Sequence, residues 1–208
     1  MVRATTDQKA TRRQQILDAA LRCFSQDGFH NTTIADIVRA SGVSQGTFYL
    51  YFATKDDVIV ALADDRRQGE ALINALIEGE PDPLDALLLL FELHGRSLAD
   101  PQRVEARRVF VQGWGEAQRN PAIHASITGL TSSVRQEIVR LIERGQQSGQ
   151  FRPEAHPDAV ARILIATFQG LNLQVAWGEK IDLQAIAQLM RDMVRRTLLT
   201  DAASAART

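Results

Sequence analysis

The chain has a single cysteine, Cys23, in 208 residues. One thiol excludes an intramolecular disulfide and any multi-cysteine zinc site. Cys23 falls in the helical stripe Ile16, Ala20, Cys23, Phe24, which predicts a small buried core residue and not a redox sensor. The four histidines, His30, His94, His124 and His156, are scattered, and none has HExxH or similar metal-ligand spacing. A glycine-rich phosphate loop and a GxSxG nucleophile turn are both missing. Carboxylates are plentiful but fall on surface-like helical positions. No catalytic residue, metal ligand or cofactor site emerges, and the reading is of a non-enzyme. Strand alternation, internal repeats and low-complexity segments are absent too. The most apolar run, Leu84 to Leu93, is about ten residues long, too short to cross a bilayer. The N-terminus is polar and charged, unlike a signal peptide. A soluble, cytoplasmic protein with no membrane partner is expected.

What is present is helical patterning throughout, with 45% hydrophobic residues, ordinary for a chain that buries a real core. The most informative stretch runs from Thr32 to Val58. Thr33 and Asp36 form a capping box that opens a helix with Ile34, Ile37 and Val38 facing inward. Ser41-Gly42 ends it, because glycine adopts the left-handed conformation a C-cap needs. Ser44 caps a second short helix, Gln45 to Tyr49, and a second box, Thr54 to Asp57, opens a third. Two short helices joined at a sharp angle through a glycine turn make a helix-turn-helix. Its second helix enters the DNA major groove by its N-terminal end. That end carries Ser44, Gln45, Gly46 and Thr47, all small or hydrogen-bonding. Phe48 and Phe52 are spaced to pack back on a core. Tyr49 and Lys55 are placed to reach phosphates, one by hydroxyl and one by charge.

Charge follows the same division. Residues 1–55 hold seven Lys and Arg against four acids, a net of +3, whereas residues 56–208 have a net of −4. A basic patch on the helix-turn-helix is the electrostatic footprint of a phosphate-binding surface.

The stretch resembles the tetracycline-repressor-like (TetR) family of bacterial transcription regulators. The resemblance is carried by Thr33, Ile37, Gly42-Val43-Ser44, Gly46-Thr47-Phe48-Tyr49, Tyr51-Phe52 and Lys55. It covers roughly residues 10 to 60 and implies a repressor released from DNA by a small effector. It also implies an all-α fold of about nine helices. Residues 1–55 would be the DNA-binding domain and 56–208 the ligand-binding and dimerisation domain. The DNA-contacting residues it points to are Thr33, Ser44, Gln45, Gly46, Thr47, Tyr49 and Lys55. The partners are double-stranded DNA with a pseudo-palindromic operator, a small-molecule effector and a second copy of the chain. A helical interaction module without specific DNA binding is the alternative of another class. The basic head with Gln45 and Thr47 exposed argues against it.

Elsewhere the expected helices are Lys9 to Gln26, Lys55 to Glu78, Asp82 to Ala99, Pro101 to about Trp114, Pro121 to Gln147, Asp158 to Trp177 and Asp182 to Leu199. Residues 1 to about 8 read as a disordered basic arm and 200–208 as frayed. The helix after Pro83 is apolar nearly all round, which places it centrally. Two glycines flank Trp114, so the backbone there either kinks or leaves room beside the ring. The last two helices carry more apolar surface than one core seam needs, which suits a second copy. For a mostly apolar effector the candidate contacts are Phe91, His94, Arg107, Phe110, Trp114, Gln169, Gln174 and Trp177, large or polar side chains on apolar faces.

Overall fold

The computed structural model describes residues 2–206, with side chains described for 8–65, 77 and 79–206. The fold is all-α, with ten α-helices among the described residues. They are α1 (Val2–Asn31), α2 (Ile34–Ser41), α3 (Gln45–Tyr49), α4 (Lys55–Glu78), α5 (Pro83–Ala99), α6 (Val104–Glu116), α7 (Pro121–Gln147), α8 (Pro157–Ala176), α9 (Leu183–Leu198) and α10 (Asp201–Ala205). A 3-10 turn, Pro101–Arg103, leads into α6. Among the described residues there is no strand, only one isolated antiparallel bridge between Phe151 and Leu199.

The chain divides into two compact units. The first comprises residues 1–67 and 104–128, the second 68–103 and 129–208. In the first, α1 packs against α2 and α6. Its core is Ile16, Leu17, Ala20, Phe24, Phe29, Ile37, Phe48, Phe52 and Val58, joined by Val109 and Ile123 from α6 and α7. Helix α1 starts at Val2, so the expected N-terminal arm is helical backbone; the side chain of Arg3 lies outside the described residues. The regular part of α1 stops at Gly28, whose φ of 80° breaks the helical geometry. Cys23 is half-buried and lies beside the core, not in it. Burial, followed by the carboxylates of Asp36 and Asp27, pushes its thiol pKa up, opposite to what a reactive thiolate needs.

Helix α6 runs unbroken through Gly113 and Gly115. The two glycines do different things. A β-carbon on Gly113 would stand 3.3 Å from Ile127 Cδ1, so this glycine lets α7 approach, while Gly115 faces open space.

In the second unit α5 packs against both α8 and α9. Asp82 caps α5 by accepting from the N–H groups of Leu84 and Asp85. Leu84, Leu87, Leu90 and Phe91 are buried with Ile138, Leu141, Ile142, Ala161, Leu164, Val194 and Leu198. The loop after α7 is held by polar contacts. Gln146 Nε2 donates to the carbonyls of Arg152 and Ala155 at 3.0 and 2.8 Å. Arg152 donates to the Leu199 carbonyl and to Asp201, each at 2.7 Å. These contacts explain why residues 201–205 are helical and not frayed: α10 follows a Thr200 cap and is anchored by its neighbours, while residues 207 and 208 lie outside the described residues. Phe151, 1% exposed, fills the space beside Gly145. The apolar side chains of Leu72 and Leu76 on α4 lie outside the described residues. By length and composition alone α8 meets the requirement for a membrane span. No unbroken apolar run marks it in the sequence, because α8 interleaves small and polar residues.

Two glycines test this packing. A β-carbon at Gly145 would fall 2.1 Å from Phe151 Cδ2. Gly145→Ala is expected to lower the unfolding free energy by about 1–3 kcal/mol through overpacking, although alanine is the better helix former. Gly115→Ala, in open space, is expected to raise it by up to about 1 kcal/mol. Urea unfolding of the two variants measures both, and a stabilised Gly145→Ala would refute the packing described.

Acid titration is a second test. The Thr33 hydroxyl and N–H, with Arg39 beside them, hold the Asp36 carboxyl below the ordinary carboxylate range. Arg162 and then Arg135 do the same for Asp158. Because both folded-state values are depressed, this stabilisation is complete above the unfolded value of about 4 and is lost as pH falls through the lower folded values. Asp36→Asn is therefore expected to flatten the acid limb of a plot of melting temperature against pH. Superimposable limbs for variant and wild type would show that the cap carboxylate contributes nothing.

Candidate nucleic-acid interface

Helix α2 begins where a side chain can take over the orphan N–H groups of its first turn. Asp36 N–H donates to Thr33 Oγ1 at 3.2 Å, and Thr33 N–H donates to Asp36 Oδ2 at 3.0 Å. The Thr33 hydroxyl also donates to Asp36 Oδ2 at 2.6 Å. The helix ends at Gly42, whose φ of 67° lets its N–H reach back to the Val38 carbonyl. The turn then delivers Ser44, whose Oγ accepts from Thr47 N–H at 3.1 Å and caps α3. Both expected capping residues are thus in place. So is the second box, in which Thr54 N–H donates to Asp57 Oδ2 and Asp57 N–H to Thr54 Oγ1.

Helix α3 is oriented by one side chain. Phe48 is fully buried, and its ring meets Tyr49 edge-on at 5.6 Å and Phe52 at 5.9 Å. Arg13 of α1 lies over the Phe52 ring at 5.7 Å. With Phe48 pointing inward, Ser44, Gln45, Gly46 and Tyr49 are exposed, Tyr49 by half. Thr47 is different. It is half-buried, and its hydroxyl pairs with Ser44 Oγ at 2.8 Å. Thr33 is exposed but spends its hydroxyl on the α2 cap.

Lys55 departs most from the expected arrangement. It is half-buried, and its Nζ donates to the carbonyls of Phe29 and, at 2.9 Å, Thr32. The first residue of α4 therefore caps the carbonyls at the junction of α1 and α2. An ammonium there uses two of its three protons on the protein. The contact joins residues far apart in sequence, which local motif reading cannot detect.

Other polar ties in the first unit were also invisible to sequence. Asn120 donates to Asp56 at 2.7 Å, Ser126 to Asp64 at 3.2 Å, and His30 Nε2 pairs with Glu116 at 2.8 Å. They join the segment 104–128 to α4 and to the end of α1. A cleft of about 270 Å³ lies there, lined by Asp27, His30, Asn31, Gln112 and Glu116 among others.

The expected effector residues fall into separate groups. In the second unit Phe91 and His94 meet Phe168, with ring centroids 5.5 and 5.0 Å apart, and His94 Nδ1 lies 3.0 Å from the Leu90 carbonyl. Gln169 and Gln174 are half-buried on α8, and Trp177 at its C-cap is 69% exposed. In the first unit Phe110 and Trp114 pair edge-to-face at 5.6 Å, and Arg107 is only 3% exposed. A cleft of about 270 Å³ in the second unit is lined by Arg135, Gln136, Val139, Arg140 and Asp158. Neither this cleft nor the one in the first unit includes any expected effector residue.

Comparison with known proteins agrees with this geometry. Residues 16–62 match the family described as bacterial regulatory proteins, tetR family. Residues 90–199, more than half of the chain, match the C-terminal part of BetI-type transcriptional repressors. The chain is 29% identical to the HTH-type transcriptional repressor Rv1474c of Mycobacterium tuberculosis, over 95% of this chain and 100% of that one. It is 26% identical to the HTH-type transcriptional repressor AcnR of Corynebacterium efficiens, over 93% and 97%. Among solved structures, a putative transcriptional regulator from Saccharomonospora viridis in complex with choline superposes with a TM-score of 0.73 at 28% identity, covering 92% of this chain and 99% of that one. A capped, outward-facing recognition helix on a buried phenylalanine, followed by a helical C-terminal half that matches a repressor family, leads to one assignment: the chain belongs to the TetR family of bacterial transcription regulators, which bind DNA through this helix-turn-helix.

Proposed function

We propose that the protein is a transcriptional repressor that binds a pseudo-palindromic operator as a homodimer and is released by a small, mostly apolar effector. The observation that carries the DNA-binding part is the exposed Gln45–Gly46–Tyr49 surface of α3, held outward by the buried Phe48. Gln45 reads base edges, with Thr47 adjacent. Thr33, Ser44 and Tyr49 position the head on phosphates, and Gly46 permits close approach of the duplex. Functionally the DNA-binding part is residues 1–55, and residues 56–208 carry effector binding and dimerisation. Relatives named as repressors support the sign of regulation. No enzymatic activity is assigned, and the protein acts in the cytoplasm, where its operator is.

Dimerisation rests on α8 and α9. Ile163 and Trp177 on α8 and Leu189 and Met193 on α9 are between 50% and 69% exposed. On α8 the stripe Ile163, Ala166, Gly170, Leu173, Trp177 recurs at alternating steps of three and four, the spacing of a helix–helix seam. A second copy covering it accounts for an apolar α8 without a membrane. This also moves Trp177 from the effector site to the subunit interface. The effector wall is then the buried Phe91 with the half-buried His94 and Phe168, rings suited to an apolar or aromatic molecule. Such rings also suit a methylated cation, the chemistry of the choline held by the Saccharomonospora viridis relative. Gln174 is a polar anchor in this reading. Arg107, Phe110 and Trp114 affect the response from the first unit.

Mutants of the head separate the roles. Gln45→Ala is expected to relax sequence preference by about 1–3 kcal/mol at one position per half-site. Lys55→Ala is expected to weaken specific and random DNA alike and, because two carbonyls lose their cap, to destabilise the fold by about 1–3 kcal/mol. Fluorescence anisotropy on both DNAs together with thermal melts distinguishes them. Equal losses on both DNAs for Gln45→Ala would overturn its assignment.

For the dimer, light scattering is expected to return twice the chain mass of 23.0 kDa. Arg substituted at Ile163 and Met193 together should shift the population toward monomer. A wild-type monomer at micromolar concentration would refute the proposal.

A further inference from the structure

We infer that Leu50 is a base-reading residue, meeting the C5-methyl group of one thymine per operator half-site. The inference rests on the DNA-binding reading of α3. Helical geometry persists one residue beyond α3, since Leu50 has φ −71° and ψ −20°. At about 100° per residue, Gln45, Tyr49, Gly46 and Leu50 follow one another around an arc of about 140° that faces away from the buried Phe48. Leu50 therefore stands one helical turn below Gly46, on the same outward face as Gln45 and Tyr49.

Its side chain is 82% exposed, more than Tyr49, Ile163, Trp177, Leu189 or Met193. A lone exposed leucine is ordinary on a protein surface. This one closes the outward arc of α3, the surface offered to the duplex in that reading. Gly46 beside it leaves the approach open: a β-carbon there would meet only Ser44 Oγ, at 4.0 Å. The chemistry then narrows the partner. Leucine has no donor or acceptor, so it cannot read the polar edges of the bases. Thymine is the one base that presents an apolar group in the major groove. Contact desolvates the methyl and the leucine together, and a cytosine at that position offers an amino group instead. Thr47, the other residue expected to read bases, has its hydroxyl engaged by Ser44, which leaves Gln45 and Leu50 as the two readers on the arc.

The experiment uses the full-length protein. Binding sites are selected from a randomised duplex pool, and each thymine of the selected half-site is then replaced by deoxyuridine, which lacks only the methyl. Affinities are measured at one salt concentration for wild type and Leu50→Ala. The expected result is one position per half-site where deoxyuridine weakens wild-type binding about fourfold, the worth of one buried methyl, and leaves Leu50→Ala unaffected. Leu50→Met keeps the wild-type pattern. Additive penalties for Leu50→Ala and deoxyuridine at every position, or no methyl that matters to the wild type, overturn the role of Leu50 alone. A pool that enriches no sequence overturns the DNA-reading function and this inference with it. Unchanged melting of Leu50→Ala, expected of an exposed side chain, shows that the effect is not misfolding, and a lowered melting point would refute the exposed placement.

Discussion

A helix of five residues has no stability of its own, because the cost of nucleating the first turn is not recovered over so short a length. Helix α3 therefore exists only because Phe48 is buried and Ser44 caps its start. The direction in which Gln45, Gly46, Tyr49 and Leu50 face follows from that burial, as does the surface offered to DNA. The buried ring shares a core with Phe24, Phe29, Ile37, Phe52 and Val58, drawn from α1, α2, the segment after α3 and α4, so α3 depends on all three longer helices. Recognition in this protein depends on a tertiary contact, not on helix propensity. Gly46 lowers that propensity further.

The second constraint is the Lys55 ammonium. It binds the Phe29 and Thr32 carbonyls, which are left over where α1 breaks at Gly28 and α2 has yet to begin. Charge-assisted hydrogen bonds of this kind are stronger than neutral ones. The first residue of α4 is thus tied to the junction that carries the head. Further along α4, Asp56 and Asp64 accept from Asn120 and Ser126. The segment 104–128 belongs with the head for the same reason that Val109 and Ile123 share its core. A change in that segment would reach α4 and the end of α1 through these contacts.

In the second unit the governing quantity is apolar area. Helix α5 uses Leu84, Leu87, Leu90 and Phe91 against the core, and α8 and α9 use Ala161, Leu164, Val194 and Leu198. That leaves a second apolar stripe on α8 and α9, with Ile163, Leu189 and Met193 exposed. Water contact with so much hydrocarbon is unfavourable. In the proposed dimer a second copy removes it and also supplies the second head that two successive major grooves require.

Much of the fold could be read from local chemistry. The boundaries of α2, α3, α4, α5 and α7 follow from caps, glycines and prolines, whose effects act within four residues and so are written in the sequence itself. The same holds for the outward Gln45 and Tyr49, because periodicity places them opposite Phe48. What could not be read from the sequence was mostly of longer range. Lys55 was expected on phosphate, but it is spatially adjacent to carbonyls 23 and 26 residues earlier in the chain. Thr47 was expected to be exposed, but it is half-buried and, over a distance of three residues, its hydroxyl pairs with Ser44. Cys23 lies on an apolar stripe yet is only half-buried, because periodicity identifies a face and not its depth. The frayed end became α10 because Arg152, Leu199 and Asp201 meet only after folding. The candidate effector residues divided between two compact units for the same reason. Sequence by itself determined which segments are helices and which face of each is apolar, since those depend on neighbours along the chain. Which apolar faces meet, which charges are spent on backbone carbonyls and which side chains stay in water were decided by tertiary structure alone, because those energies arise between groups that the sequence keeps apart.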